Sequence, residues 1–552
     1  MRSRTTDDQL TVFGIAGTYV VLLGMSLPKS KAKGLRGFAI LRTDHATGER
    51  QWMRGLKTFE GVGELPAAGV MVSSQEHPFQ GFQWADYSAK PGRRYTYRVT
   101  AMRGKPGNLD KGETVDVELT TETEDGQRHE VYFNRGVAGS QEYARRFQNQ
   151  SPDEVGPAAF QWLSRGLIEA LIRFIEQAQD KRDEIVGVIY EFRNAEVMEA
   201  LKQAKKRGAK VKLLYGADKD DTRKPNEKAI GDAGIAKLCK PRENGPGIPH
   251  NKFFVWSRDG EPKAVWTGST NLTQNGIFGH SNVGHVVRIE SVARLFFDYW
   301  TVLAEDPDGR TTREWTNTAT PSPVADWSPA TQVIFSPREF PNDGNRNALH
   351  YFADVARQAK RGLFMTFAFG INEKILDVFK QEDRVLRFAL MEKLGMTAEA
   401  SEAVSAMRRL PNAIVAVGNR IVTNEFDRWL KEEATVSKKT HVEFIHTKYM
   451  LVDPLSDEPM VVSGSANFSK ASIQSNDENM LLINRDTRVA DIYLGEFMRL
   501  YSHHAFREFV ARKKPGTDLT FRHLDPTDGW IKDYYEDNAS ARQSRRKYFS
   551  GA

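Results

Sequence analysis

Ile445-His446-Thr447-Lys448-Tyr449-Met450-Leu451-Val452-Asp453, followed by Ser463-Gly464-Ser465-Ala466-Asn467, has an earlier twin. It is Pro249-His250-Asn251-Lys252-Phe253-Phe254-Val255-Trp256, followed by Thr267-Gly268-Ser269-Thr270-Asn271. In both copies eighteen positions separate the histidine from the glycine. A short motif met once carries little weight, whereas two at equal spacing argue for a duplicated site. Each His-x-Lys lies in an apolar, β-prone run, so imidazole and ammonium, two positions apart, project from one face of a strand. Phe253 and Val255, or Tyr449 and Leu451, cover the other face. Glycine permits close backbone approach, and the hydroxyl and amide of Gly-Ser-x-Asn are donors suited to an anion. The set reads as a phosphate clamp, with Ser269, Asn271, Ser465 and Asn467 as phosphate-binding residues and Gly268 and Gly464 as its structural support.

Outward from the motifs the texture alternates strand and helix. Ile185-Val-Gly-Val-Ile-Tyr190 reads as a buried strand, Val197, Ala200, Leu201 and Ala204 fall at helical spacing, and Val211 to Tyr215 supplies another strand. The same order returns in Leu363 to Phe369, Ile375 to Lys380 and Val385 to Leu390, which makes an internal repeat of an αβ unit. Four regions follow: an all-β unit over 1–130, a first half over 150–335, a second half over 336–515, and a C-terminal extension over 516–552. The extension ends in a basic stretch, Ser540 to Lys547, read as a flexible tail. Extra sequence at about 395–440, with Arg408, Arg409, Arg420 and Trp429, reads as a lid or substrate wall.

At 552 residues the chain exceeds what one core usually supports. Cys239 is the one cysteine, so an intrachain disulfide and a cysteine metal cluster are both excluded, and a reducing, cytoplasmic setting is expected. The apolar run Val12 to Met25 is too short to span a bilayer, and no small-residue cleavage site follows it. A net charge of +6 favours a polyanionic partner but is mild over this length.

The paired motif resembles that of the phospholipase D superfamily, His-x-Lys-x4-Asp followed by Gly-Ser-x-Asn, and the resemblance covers about residues 158–510. The second copy matches through Asp453, and Ser475-Asn476-Asp477-Glu478-Asn479 is similar to the family's Asn-x-Glu element. The first copy departs, with Ser257 in place of the aspartate and Gly284 taken as the counterpart of Glu478. The resemblance implies an α/β fold of two pseudo-symmetric sandwich halves whose motifs form one site within one chain. It also implies a phosphohistidine mechanism without metal or cofactor. His250 is the implied nucleophile and His446 the acid/base, with Lys252 and Lys448 neutralising phosphoryl charge. Glu478 is expected to orient His446, and Asp453 to support the site. Nucleic acid is the favoured partner; a phospholipid headgroup is the second reading and a catalytically impaired binding protein the third. His280 and His285 are taken as wall residues, and His503 and His504 as lining a helix. In the N-terminal unit, Tyr87-Ser-Ala-Lys-Pro-Gly-Arg-Arg-Tyr95-Thr-Tyr97-Arg-Val99-Thr-Ala101 resembles late strands of fibronectin type III domains, which suggests a separable module carrying no catalytic group.

Overall fold

The apolar run Val12 to Met25 is spent on two neighbouring strands of a β unit in the computed structural model. That unit contains β1 (Arg2–Asp7), β2 (Leu10–Ala16), β3 (Val21–Ser26), β4 (Gly37–Asp44), β5 (Arg50–Trp52), β6 (Arg54–Gly55), β7 (Val72–Ser73), β8 (Gln83–Asp86), β9 (Arg94–Lys105) and β10 (Asn108–Thr120). Two antiparallel four-stranded sheets, ordered β1-β2-β3-β8 and β10-β9-β4-β5, enclose a core that includes Val12, Leu23, Phe38, Tyr97 and Val117. The structure describes residues 1–64, 66, 70–136, 141–148, 150–245, 247–320, 330–338, 348–393, 398–418, 445–511, 523–535 and 540–551. Arg420 and Trp429 lie outside them.

Each motif copy sits in a seven-stranded mixed sheet. The first is built from β11 (His129–Phe133), β12 (Asp183–Ile189), β13 (Lys210–Gly216), β14 (Cys239–Arg242), β15 (Lys252–Arg258), β16 (Glu261–Gly268) and β17 (Val283–Val287). The second comprises β18 (Thr331–Ser336), β19 (Gly362–Phe367), β20 (Leu386–Met391), β21 (Ala413–Val417), β22 (Tyr449–Val452), β23 (Met460–Gly464) and β24 (Glu478–Asn484). Their orders, β11-β17-β16-β15-β12-β13-β14 and β18-β24-β23-β22-β19-β20-β21, correspond strand for strand. In both, three strands are parallel and the motif-bearing hairpin is antiparallel. The sheets begin at residues 129 and 331, ahead of the expected half boundaries at 150 and 336, because each half opens with an edge strand that pairs antiparallel with β17 or β24.

Side-chain alternation sorts the layers. Phe253 and Val255 from β15, and Tyr449 and Leu451 from β22, enter one central core with the helices Glu290–Ala304 and Thr487–Ala511. Phe254 faces a second core, under helices Leu167–Glu176 and Ala195–Lys206, and Met450 faces a third. His250 and Lys252 share the parity of Phe254, and His446 and Lys448 that of Met450.

The N-terminal unit is not a detached module. Ile15, Val20 and Leu22 belong to the central core, Arg2 Nε donates to Asp491 at 2.9 Å, and Trp530 from the C-terminal extension fills the core of the β unit. The basic tail is likewise ordered: Ala541–Phe549 is a helix whose Phe549 is fully buried, and the Arg546 guanidinium lies 4.4 Å from the Tyr535 ring. A long arginine covers apolar surface with its stem while its head stays polar, so the stretch folds despite its charge.

Candidate active site

His250 lies two residues before β15, and its Nδ1 is 2.9 Å from Glu478 Oε2 at the start of β24. His446 lies in the equivalent place before β22, and its Nδ1 is 2.9 Å from Asn282 Oδ1, just before β17. Each imidazole is thus held by a residue of the other half. The expected pairing of Glu478 with His446 is corrected, because the carboxylate crosses the interface to His250. The taken correspondence of Gly284 with Glu478 is corrected too. Thirty-two positions separate His250 from Asn282 and His446 from Glu478. The backbone confirms this register, since Ser269 N donates to Val283 O and Ser465 N to Asn479 O.

These partners fix the tautomers. A carboxylate only accepts, so His250 Nδ1 carries the hydrogen. Asn282 is oriented by its own amide, which donates from Nδ2 to Gly276 O at 2.6 Å, while Oδ1 accepts from Ser269 Oγ at 2.8 Å. His446 Nδ1 is therefore a donor as well, and both Nε2 atoms are left free of these bonds. Burial pushes His250 down to about 4, against the pull of Glu478, while Lys252 pushes further down. His446 is held well below the usual histidine range, first by burial and then by Lys448, His280, Lys252 and His250. Both rings are neutral near pH 7 in the free protein.

Lys252 and Lys448 each donate from Nζ to the carbonyl of the preceding histidine of their motif, at 2.6 Å in both copies. Lys252 also lies 5.4 Å from the ring of Tyr190, which packs 5.2 Å from His250. Burial lowers the Lys252 ammonium to about 8, opposed by Glu478 and Glu191. The two glycines are required by close approach. A Cβ on Gly268 would meet Val283 O at 2.2 Å, and one on Gly464 would meet Asn479 O at 2.2 Å.

The serines differ from the phosphate-binding expectation. Ser269 donates to Asn282 and accepts from Val283 N, and Ser465 donates to Asn479 O at 3.4 Å and accepts from Asn479 N at 3.0 Å. Both are fully buried and hold the return strand. The asparagines are less committed: Asn271 Nδ2 donates to Glu191, and among the described residues the acceptors Asn271 Oδ1 and Asn467 Oδ1 have no hydrogen-bond partner, so only the amide N–H groups could serve a phosphate.

Asp453 takes backbone N–H groups of Lys360, Arg361 and Gly362 at 2.7–2.8 Å, which pins the start of β19. Ser257 does not leave the first half without this device. Asp183, on the neighbouring strand β12, accepts from Gln179 N, Asp180 N and Arg258. His285 is buried against His129 and Tyr493, and His503 and His504 lie within the long helix. His280 stands beside the site, its ring centroid 5.8 Å from that of His446.

Sequence reasoning missed Asn282, Tyr190, Asn479 and the Arg242–Asp477 pair. Asn479 spans the halves, donating to Asn251 Oδ1 at 2.8 Å and accepting from Thr267 at 2.6 Å. Arg242 Nε meets Asp477 Oδ2 at 2.9 Å with both side chains fully buried, beside Glu478. The shared spacing of thirty-two would have found Asn282; Asp477 and Asn479 flank Glu478 in the quoted element, but nothing in the sequence shows their partners, and Tyr190 and Arg242 lie outside both motifs. Among the described residues no group of three or more His, Cys, Asp or Glu side chains is placed to hold a metal ion, and no helix is long and apolar enough to cross a membrane.

Two like halves therefore meet at a single centre of paired His/Lys motifs. The family described as "Cardiolipin synthase, PLD-like domain" matches residues 171–299 and 412–501, spanning both motifs. The chain belongs to the phospholipase D superfamily. No curated protein matches it by sequence. Among solved structures it is similar to Nuc, a phospholipase D family member from Salmonella typhimurium, at 25% identity over 25% of this chain and 87% of that one, with a TM-score of 0.22. The phosphatidylserine synthase of Haemophilus influenzae Rd KW20 gives 12% identity over 61% and 84%, with a TM-score of 0.41. The yeast tyrosyl-DNA phosphodiesterase gives 12% over 55% and 83%, with a TM-score of 0.32.

Proposed function

We propose that the protein is a phosphodiesterase that works through a phosphohistidine, with nucleic acid as its substrate. The observation that carries this reading is the pair of buried imidazoles with unlike partners, Glu478 on His250 and Asn282 on His446. Attack by His250 Nε2 on phosphorus leaves positive charge on the ring, and a carboxylate on Nδ1 stabilises that charge as it forms. His446, with a neutral amide instead, is the more acidic imidazolium once a bound phosphate has raised its proton affinity, so it releases its proton readily. In the first step the His250 N–P bond forms, the P–O bond to the leaving group breaks, and His446 protonates that oxygen. In the second, His446 takes a proton from water, whose oxygen attacks phosphorus and frees His250. Lys252, Lys448, Asn271 and Asn467 hold the phosphoryl oxygens, and Ser269, Ser465 and Asp453 keep the surrounding strands in place.

Positive net charge and two buried ammonium groups favour a polyanion. A phospholipid headgroup is the second reading, favoured by Phe369, 47% exposed just beyond the end of β19. Incubation with single-stranded DNA, duplex DNA, RNA and phosphatidylcholine vesicles, with and without EDTA, tests both. The expected result is nucleic-acid cleavage that survives chelation and vanishes in His446→Ala. Turnover of vesicles alone reverses the substrate ranking, and chelator-abolished activity restored by one divalent metal removes the mechanism.

A further inference from the structure

Behind the His446 side of the site three guanidinium groups converge on one carboxylate. Arg165 Nη2 lies 2.7 Å and Arg499 Nε 2.8 Å from Glu496, and Arg135 packs 4.6 Å above the Trp162 ring. Glu496 is buried and pairs with two of the three cations; among the described residues Arg135 Nε and Arg165 Nη1 have no hydrogen-bond acceptor. Among the described residues Glu142 is engaged by Arg145 and Arg146, and Glu124 by Tyr19. A cluster with surplus positive charge and unmet donors is costly unless an anion completes it.

Its position ties it to the catalytic centre. Asn134, the residue before Arg135, donates to His280 O at 2.6 Å and accepts from Asn282 N at 2.8 Å. It therefore anchors both the loop that carries His280 against His446 and the amide that holds His446. Arg499 in turn donates to Asn134 O at 3.1 Å, locking the cluster to the same strand end. Arg135 is half-buried, so its fork is reachable from outside, whereas Arg165 is 6% exposed and forms the floor.

We propose that Arg135, backed by Arg165 and Arg499, is a second phosphate subsite that takes a backbone phosphate of a nucleic-acid strand next to the scissile one. This rests on the nucleic-acid reading above and deepens it. A headgroup diester has one phosphate to offer, a nucleic acid a row of them, and a planar guanidinium fork suits a phosphate bidentately. Burial, together with Arg165 and Arg499, pushes Arg135 down to about 9, consistent with a group that gains from an arriving anion.

The test compares Arg135→Gln with the unaltered protein on two substrates, bis(p-nitrophenyl) phosphate and a single-stranded DNA of about 12 nucleotides, a length within the range that such grooves hold. The loss of kcat/KM on the DNA should exceed the loss on the small diester by about tenfold, the size of a charge-assisted hydrogen bond. The slope of log affinity for the DNA against log salt should become shallower by about 0.7, one phosphate contact fewer. If Gln lowers Tm, Arg135→Met, which keeps the alkyl packing on Trp162, is measured in the same way. Equal losses on both substrates, or an unchanged salt slope, overturn the subsite while leaving the nuclease reading intact. An unaltered protein that turns over phosphatidylcholine but no nucleic acid overturns both, and is distinguished by that control alone.

Discussion

The two halves share seven strands in one order, yet they differ at the atom where chemistry is expected. The first half presents an imidazole backed by a carboxylate, the second an imidazole backed by an amide, and each partner is supplied by the opposite half. The two motifs are built alike, and in the mechanism proposed above the difference between Glu478 and Asn282 gives them unlike tasks. Symmetry of backbone therefore does not imply symmetry of role, and function is argued from the side chains at the interface.

The strongest way to break the comparison is to remove the histidines one at a time. His250→Ala and His446→Ala should each lower kcat by about 10⁴-fold or more on an unactivated diester. On an aryl diester with a good leaving group they should part company. His446→Ala should still form a phosphoryl adduct, visible by intact mass, and fail to release it quickly; His250→Ala should form none. An adduct on His446 in the His250→Ala protein, with none in the reverse variant, would exchange the roles. A smaller effect is expected at the lysines, where Lys252→Ala and Lys448→Ala should cost about 10²-fold, mainly in kcat, because the ammonium groups act on charge that develops in the transition state. Losses confined to KM would make them ground-state binding residues.

Exchanging the partners sharpens the contrast through pH. His250 must be neutral to attack, so the acid limb of kcat/KM follows its pKa, which burial has already lowered to about 4. Glu478→Gln removes the group that pulls this value up, so the acid limb should move to lower pH while kcat drops about 10-fold or more with the loss of charge stabilisation. Asn282→Asp places an anion on His446, raises its proton affinity, and should move the basic limb of kcat to higher pH. Stopped assays across pH on both variants check the two signs. If instead Glu478→Gln moved the basic limb and Asn282→Asp the acid limb, the histidines would have traded tasks.

How much of this was legible follows from what strand geometry transmits. The two-residue period placed His250 with Lys252 and His446 with Lys448 on one face, and equal spacing exposed the duplication. The partner of each histidine comes from the other half, and no local pattern records which return strand meets which motif. Aligning Gly284 with Glu478 slipped the register by two residues, an error that keeps every side chain on its face and so violates no alternation rule. The basic tail misled for another reason: in the helix Ala541–Phe549 the guanidinium groups lie over aromatic rings, that of Arg545 5.8 Å from Phe388 and that of Arg546 4.4 Å from Tyr535, so charge density there did not mean solvation.

The smallest expected effect separates the halves at the positions after the motifs, Ser257 and Asp453. Asp453 is a non-glycine residue at φ 46° and accepts three backbone N–H groups at the start of β19. Asp453→Ala leaves those donors to find water and should cost about 1–3 kcal/mol of stability, with activity falling only as far as the strand moves. Ser257 is 1% exposed, and among the described residues its hydroxyl has no hydrogen-bond partner, while Asp183 serves the corresponding turn from the neighbouring strand. Removing an unsatisfied buried hydroxyl relieves a desolvation cost, so Ser257→Ala should be neutral or stabilising by up to about 1 kcal/mol. Denaturant midpoints of both variants, at unchanged m-value, decide the matter. If Ser257→Ala were the more damaging, the first half would depend on Ser257 itself and Asp183 would not be its substitute for the missing aspartate.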